Sequence, residues 1–378
     1  MKQKKIIVLG CTGSIGQSTT TICRHHPDLF TITALAAHTN EEELLNLAEE
    51  FNVSALCLSG RHPDSDKIHF SSRADLLKMI EETEADIVIN GIPGAAGLLP
   101  SVTTINSGKT LALANKETVV MAGKLIKELA AEKNSLIIPL DSEHSAIFNL
   151  LQKISTDSVE EVILTASGGA FRDTPLSELK YVTVKDALLH PTWSMGKKIT
   201  IDSATMANKG LEVLEAHHLF DFALDKIHIL VHPQSYVHSL IRTTDSSLYA
   251  QISKPNMTIP IQNALTYPEI TTCMYGRLNL VDCTFTFRAI DSEKYPIVET
   301  AYKAASLDRA YPTAFNAANE IAVDAFMHGK IEFLDIPVVV QETLEADWGM
   351  MLVSFEHVLS LDKEARDLAI QIVKRYSK

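Results

Sequence analysis

The chain has 378 residues, enough for two or three domains that each bury a core of their own. With 46% hydrophobic and 21% charged residues it has an ordinary globular composition. Its net charge of −13 speaks against a general nucleic-acid binder, which needs a basic footprint to displace counterions. A small anionic ligand held by a local cluster of Lys, Ser and backbone N–H groups is still allowed. The five cysteines (Cys11, Cys23, Cys57, Cys273 and Cys283) are odd in number and show no CxxC spacing. They fit reduced thiols in a cytoplasmic protein better than a disulfide framework or a zinc site.

At the start, the basic MKQKK leads into a short apolar run that stops at Gly10. The run is too short for a signal peptide, so Lys4–Leu9 is expected as a strand. Gly10-Cys11-Thr12-Gly13-Ser14-Ile15-Gly16 follows at once and leads into a helical pattern over Gln17–His25. A glycine-rich turn between strand and helix lets backbone N–H groups close on a pyrophosphate, although GxxGxxG is not the GxGxxG spacing. Alternating units come next: strands Thr31–Ala36, Val53–Leu58, Asp86–Asn90, Thr110–Ala114 and Leu136–Leu140, with helices Glu41–Phe51, Arg73–Glu82, Leu98–Asn106 and Thr118–Lys133. This alternation predicts an N-terminal Rossmann-like parallel sheet covered by helices on both faces. The uncharged stretch Ile87–Ile105 contains Asn90, two prolines and three glycines, so it reads as strand, loop and helix and not as a membrane span.

In such sheets ligands gather at the carboxyl ends of the strands. The fifth strand here ends in Asn115-Lys116-Glu117 and the sixth in Asp141-Ser142-Glu143. If the extended conformation continues, Asp141 and Glu143 point to one side and form half of a hard-cation site; the alternative is that Asp141 or Ser142 caps the next helix, Glu143–Leu151. After the second strand no carboxylate occurs before Glu41. Repulsion of a 2′-phosphate is therefore absent, which leans toward NADP, but no Arg or Lys stands in Ala36–Asn40 to clasp that phosphate.

From Ser158 the pattern changes. Val159–Ala166 reads as a strand ending in Ser167-Gly168-Gly169, Lys226–Val231 as another, and Tyr236–Arg242 with Ser247–Ile252 as a hairpin. Within this part lies LHPTWSMGKKITIDSATMANKGLE, Leu189–Glu212. Its Pro- and Gly-bounded start is too polar for a core helix and too aromatic for a plain linker, and suits a lid. Lys198–Ile201 looks β-like, Asp202 or Ser203 looks like an N-cap, and Asn208, Lys209 and Glu212 can share one helix face. The segment offers a phosphate cradle and an anionic metal ligand; the plainer reading is a capped surface helix. Tyr267–Ile297 reads as a connector, and from Val298 onward helices dominate, with Asn316, Asn319 and Glu320 expected in capping or core hydrogen bonds. The expected divisions are 1–141, a dinucleotide-binding domain; 142–266, a central α+β catalytic and dimerisation domain with a small mixed sheet; 267–297, a connector; and 298–378, a C-terminal helical bundle.

GCTGSIG, ALANKE, PLDSEHSAIF, TASGGAFR, HPTWSMGKKITIDSATMANKGLE, HPQSYVHS and FNAANEIAVDAF, in this order over essentially the whole chain, resemble 1-deoxy-D-xylulose 5-phosphate reductoisomerases. The resemblance implies an enzyme that uses NADPH and Mg²⁺ or Mn²⁺ to rearrange 1-deoxy-D-xylulose 5-phosphate and reduce it to 2-C-methyl-D-erythritol 4-phosphate, on the non-mevalonate route to isoprenoids. Carried over residue by residue, it assigns Asp141, Glu143 and Glu212 to the metal, and Ser167, Ser203, Asn208 and Lys209 to the substrate phosphate. Lys116, Ser142, Glu143 and His190 would contact the sugar, with Trp193 and Met195 on a closing loop. Thr12, Gly13, Ser14, Ile15, Asn40, Asn115, Glu117 and Gly196 would bind NADPH. A homodimer is also implied.

The sequence departs from the family at Cys11, commonly Ser, and at His38-Thr39, commonly Gly and a basic or small residue. Ser246 replaces a usual Gly, and Ser253-Lys254-Pro255-Asn256 stands for Gly-x-Pro-Asp. Two other readings compete: a semialdehyde or homoserine dehydrogenase, and a non-catalytic dinucleotide sensor. A semialdehyde dehydrogenase would need a nucleophilic Cys beside a His, and none of the five cysteines sits in a plausible catalytic loop; the sensor reading leaves the carboxylates and the phosphate cradle without a task.

Overall fold

Short runs of Ile, Val, Leu and Ala with no solvent-facing alternation are what a sheet covered on both faces requires. In the computed structural model, which describes residues 2–273, 275–281 and 283–377, these runs form six strands. They are β1 (Lys4–Leu9), β2 (Phe30–Ala37), β3 (Ala55–Leu58), β4 (Ile87–Asn90), β5 (Thr110–Leu113) and β6 (Ile137–Pro139). All pair in parallel in the order β3-β2-β1-β4-β5-β6. The intervening helices are α1 (Ser14–His25), α2 (Glu41–Phe51), α3 (Arg73–Glu82), α4 (Leu98–Asn106) and α5 (Lys116–Lys133). This is the doubly wound order whose switch point, between β1 and β4, is where dinucleotides bind. Ile6 to Leu9 are fully buried, and Ile7, Leu9, Ala34, Ala36, Cys57, Met79 and Val88 belong to one cluster.

The chain forms two compact units. The first comprises 1–118, 126–145 and 256–276, so that α10 (Thr258–Thr266) packs with the parallel sheet although it is distant in sequence. Lys4 Nζ ties it there, donating to the Leu265 and Tyr267 carbonyls at 2.9 Å each. The second comprises 119–125, 146–255 and 277–378. Residues 119–125 lie inside α5, which is broken at Ala122 (φ −139°, ψ 26°).

The second unit contains most of α6 (Ser142–Leu151), then β7 (Val159–Ala166), α7 (Val184–Ala187), α8 (Lys197–Thr205), α9 (Ala207–Phe220), β8 (Ile227–Val231), β9 (Val237–Thr243), β10 (Leu248–Ile252) and β11 (Arg288–Ala289). Its mixed sheet runs β10-β9-β7-β8-β11, with only β7 and β8 parallel. Helices α11 (Pro296–Leu307), α12 (Tyr311–Met327), α13 (Asp335–Thr343) and α14 (Phe355–Tyr376) complete it. The helical region after 298 does not bury a core apart: Ala314, Phe315, Val323, Val340 and Ala365 share one apolar cluster with Val162, Leu164 and Ile241 of the sheet and Leu211 of α9. The expected connector is irregular apart from β11 and the opening of α11 at Pro296, and Met274 and Asp282 within it lie outside the described residues. Among the described residues no helix is long and apolar enough to cross a membrane.

One expectation from the sequence is corrected here. Lys198–Ile201 is not β-like but the first turn of α8. Gly196 gives the turn its extended N-cap, Thr200 Oγ1 donates to the Gly196 carbonyl at 2.8 Å, and Lys198 pairs with Asp202 one turn on at 2.9 Å. The alternation of Lys, Ile, Thr and Ile matched a strand, but tertiary burial of Thr200, Ile201, Ala204 and Thr205 selects the helix.

Candidate functional site

In the first unit the polar side chains collect at the carboxyl ends of the strands. Gly10 adopts φ +76°, and a Cβ there would lie 2.9 Å from the Gly91 carbonyl oxygen; one at Gly16 would lie 2.3 Å from that of Cys11. The turn is thus drawn in tightly between the β4 end and α1, as only glycine permits. Gly13 is the N-cap of α1 and offers no side chain, so Thr12, Gly13, Ser14 and Ile15 frame a helix start open to an anion. Asn40, at the end of β2, caps α2 by accepting from Glu43 N at 3.2 Å.

At the end of β5, buried Asn115 caps α5, accepting from Thr118 N at 3.1 Å. Its amide donates to Gly94 O at 2.8 Å and to Glu117 at 2.9 Å, fixing the loop after β4. Lys116 points to the end of β6 and pairs with Asp141, both largely buried. Burial alone would raise the Asp141 pKa, but the charges of Lys116 and His144 outweigh it and hold the carboxyl well below its usual range. The extended conformation does not continue through Asp141–Glu143: α6 starts at Ser142, whose Oγ donates to Glu143 at 2.5 Å. Glu143 therefore sits in a first helical turn, where negative charge is favoured, and not in alternation with Asp141.

In the second unit β7 ends in Ser167-Gly168-Gly169, with φ of +86° and +68° at the two glycines. A Cβ on Gly169 would stand 2.3 Å from the Ser203 carbonyl oxygen, so this turn can close on the end of α8 only as glycine. His190 joins the two: its Nε2 lies 2.9 Å from Ser167 Oγ and 3.1 Å from Ser203 Oγ. Its Nδ1 accepts from the backbone N–H groups of Thr192 (3.1 Å) and Trp193 (2.8 Å). Two donors at Nδ1 place the ring proton on Nε2, which donates toward the serines. Burial, with a smaller contribution from the Arg172 charge, lowers the His190 pKa to about 4, so the ring is neutral at pH 7.

Neither Asp202 nor Ser203 is an N-cap. Both lie within α8, and α9 begins instead after Met206, whose left-handed φ of 66° turns the chain between the two helices. That turn places Asn208 and Lys209 at the start of α9 immediately after Ser203. As the spacing predicts, both reach Glu212: Asn208 Nδ2 donates at 2.5 Å and Lys209 Nζ at 2.5 Å. Lys209 also donates to the Thr165 carbonyl at 2.5 Å, and both it and Glu212 are buried.

Three family models cover the chain: 1-deoxy-D-xylulose 5-phosphate reductoisomerase over residues 6–123, its C-terminal domain over 137–220, and the DXP reductoisomerase C-terminal domain over 252–368. The chain is 43% identical over 371 residues to the 1-deoxy-D-xylulose 5-phosphate reductoisomerase of Treponema denticola, covering 98% of this chain and 97% of the relative. It is 44% identical over 380 residues to that of Chlorobaculum tepidum, covering 98% and 100%. The chain belongs to the 1-deoxy-D-xylulose 5-phosphate reductoisomerase family. A crystal structure of DOX-P reductoisomerase in complex with NADPH, fosmidomycin and magnesium matches with TM-score 0.91 at 38% identity, covering 98% of each chain. The enzyme from Zymomonas mobilis in complex with NADPH matches at 0.89 and 38%, covering 98% and 99%. A reductoisomerase is an enzyme and an oxidoreductase, so the dehydrogenase and sensor readings fall away.

Within this reductoisomerase Ser167, His190 and Ser203 form one hydrogen-bonded group, and Asn208, Lys209 and Glu212 another on the next helix. Trp193 is half-buried, with its ring centroid 6.3 Å from that of His238. Met195 and Gly196 follow, Gly196 as the N-cap of α8. Two residues were given no role by the sequence reading. His238, inside the HPQSYVHS motif, is buried and bonded to Ser253 Oγ at 2.8 Å. Arg61 brings a cation to the β2 turn from outside Ala36–Asn40, where the sequence shows none. It lies 21 positions after Asn40, yet its Nε donates to the Thr39 carbonyl at 3.3 Å.

Proposed function

We propose that the residues just described carry out the family's reaction as follows. The enzyme converts 1-deoxy-D-xylulose 5-phosphate to 2-C-methyl-D-erythritol 4-phosphate, using NADPH and a divalent metal ion, Mg²⁺ or Mn²⁺. The uncapped α1 start and the glycine-only approaches at Gly10 and Gly16 fit a dinucleotide pyrophosphate. We assign Thr12, Gly13, Ser14, Ile15, Asn40 and Gly196 to direct cofactor contact. We assign Asn115 and Glu117 to the cofactor as well; the Asn115 amide also holds the Gly94 loop and donates to Glu117.

Asp141, Glu143 and Glu212 suit a hard cation, since all three offer carboxylate oxygens. Asp141 and Glu212 are each held against an ammonium, that of Lys116 and that of Lys209. An ion bound there would polarise the substrate carbonyl and stabilise the oxyanion. It would also take over neutralisation of the carboxylates, which frees Lys116 for the sugar and Lys209 for the phosphate. Ser142 and Glu143 would contact the sugar beside Lys116. Ser167, Ser203 and Asn208 would complete the phosphate cradle, with neutral His190 donating from Nε2 to the substrate in place of the serines. The phosphate anchor supplies binding energy remote from the reacting carbons. Trp193 and Met195 would cover the bound substrate and exclude water.

The observation that carries this reading is the Ser167–His190–Ser203 group with Lys209 on the adjoining helix: four donors of the kind a phosphorylated sugar needs. The test is NADPH oxidation by the purified chain with 1-deoxy-D-xylulose 5-phosphate, with and without Mg²⁺ or Mn²⁺. Turnover without metal, or none with it, overturns the assignment.

We further propose a homodimer through β10, an edge strand with Leu248, Tyr249 and Ile252 each close to half exposed, because such an edge templates pairing. A cytoplasmic location is supported by the five free thiols. For the division of labour we keep 1–141 for the cofactor, 142–266 for substrate and dimer contacts, 267–297 as connector and 298–378 as support.

A further inference from the structure

Beyond β2 and β3 the parallel ladder does not stop where the strands are assigned to end. Ser59 N donates to the Ala37 carbonyl at 3.0 Å and Gly60 N to that of His38 at 2.8 Å. The next residue, Arg61, continues the register with its side chain, Nε donating to the Thr39 carbonyl. The two turns are closely fitted, since a Cβ on Gly60 would fall 2.5 Å from the His38 ring. The turn after β2 is where a doubly wound sheet meets the adenosine ribose, and discrimination between NADP and NAD depends on what meets the 2′ position there.

The local charge makes the choice of residue informative. The first turn of α2 carries Glu41, Glu42 and Glu43, and Ala36–Asn40 contains no cation. No carboxylate lies in the β2 turn itself, but the three glutamates that open α2 bring negative charge next to it, which a dianionic phosphate needs a cation to offset. Glu41 is nearly buried and fully engaged, accepting from Asp64 N (3.0 Å), Ser65 N (2.7 Å) and Arg61 Nη2 (2.7 Å). Arg61 is thereby held at two points, Nε on Thr39 and Nη2 on Glu41. Its remaining Nη1 is shared by the His62 carbonyl at 2.9 Å and Asp64 at 3.1 Å, whose side chain is 88% exposed. A solvated monoanion is a weak competitor for Nη1 when a dianionic phosphate is the alternative acceptor.

We propose that Arg61, brought from the β3 turn to the β2 turn, is the residue that recognises the cofactor's 2′-phosphate and sets the preference for NADPH over NADH. Glu41 orients it, and Asp64 yields its place to the phosphate. The inference rests on the reading that the dinucleotide lies across the carboxyl edge of the first sheet.

The test measures dissociation constants of NADPH and NADH by fluorescence titration, without substrate. Arg61→Gln should weaken NADPH roughly 10- to 100-fold and leave NADH within about two-fold, the size of one lost charge-assisted contact. Because that variant leaves Glu41 without its cation, Glu41→Gln/Arg61→Gln serves as the second measurement. It should show the same loss of preference with NADH binding intact. Return of the wild-type ratio in the double variant, or equal weakening of both dinucleotides, would show Arg61 to be a strut for the loop and overturn the proposal. A preference that survives in both variants overturns it as well. Wild-type protein that binds neither dinucleotide would overturn the cofactor site along with it.

Discussion

The buried pair Lys209–Glu212 invites the most decisive perturbation. The side chains are 4% and 1% exposed and meet at 2.5 Å, and Lys209 also donates to the Thr165 carbonyl. Replacing Lys209 by Met keeps the apolar stem but leaves a carboxylate facing a low-dielectric interior. Breaking such a pair from one side costs about 3–5 kcal/mol, and the lost bond to Thr165 adds about 1 kcal/mol. Removing both charges, in Lys209→Met/Glu212→Gln, should recover most of that loss, to within about 1–2 kcal/mol of wild type, because no orphan charge remains. Both tryptophans, Trp193 and Trp348, lie in the second unit, so intrinsic fluorescence during urea unfolding reports on the unit that contains the pair. The double variant should regain stability without regaining affinity for a phosphonate substrate analogue. A double variant as unstable as the single one would refute the buried-charge argument, and wild-type analogue affinity in either would refute the phosphate role of Lys209.

Glu212→Gln keeps the shape and removes one anionic ligand, so turnover should collapse and metal titration shift while NADPH affinity stays unchanged; unaltered metal dependence would remove Glu212 from the site. For Trp193, the background is Trp348→Phe, a core change that loses one bond from the indole to the Thr343 carbonyl. Emission of Trp193 should shift, and protease cleavage of 190–196 should slow, when the analogue binds protein loaded with NADPH and metal. No change in either would make the segment a fixed strut. His190 gives a pH signature. Its pKa falls from 6.5 to about 4 on folding, so its contribution to stability is full above pH 6.5 and is lost as pH falls toward 4. Discounted for partial exposure it amounts to about 1–2 kcal/mol, and His190→Asn should flatten the urea midpoint between pH 6.5 and 4.

Much of the first unit is legible in the residues themselves. The apolar runs, the glycine turn and the helix bounds of Glu41–Phe51, Arg73–Glu82 and Leu98–Asn106 agree between sequence and structure. Each depends on local periodicity and local capping: Asn40 and Ser72 both accept from the N–H three residues on. The hairpin β9–β10 was legible for the same reason, and so was the sharing of Glu212 by Asn208 and Lys209, which helical spacing alone dictates.

What failed was local as well, but decided from a distance. Lys198–Ile201 alternates like a strand, and only the burial of its Thr200–Ile201 face within the second unit makes it a helix. Met206 in a left-handed conformation has no signature of its own; it is required because α8 must end where α9 begins. The left-handed Ser-Gly-Gly turn was visible as a turn, but that Gly169 meets Ser203 was not. Sequence by itself determined the alternating strands and helices of the first unit and which residue types could bind phosphate, metal and dinucleotide, since those follow from period and side-chain chemistry. Tertiary structure alone decided that His190 joins two serines from different elements, and that Arg61 stands at the turn where the sequence supplied no cation. Both depend on register between strands or on helix packing, contacts that spacing along one chain does not encode.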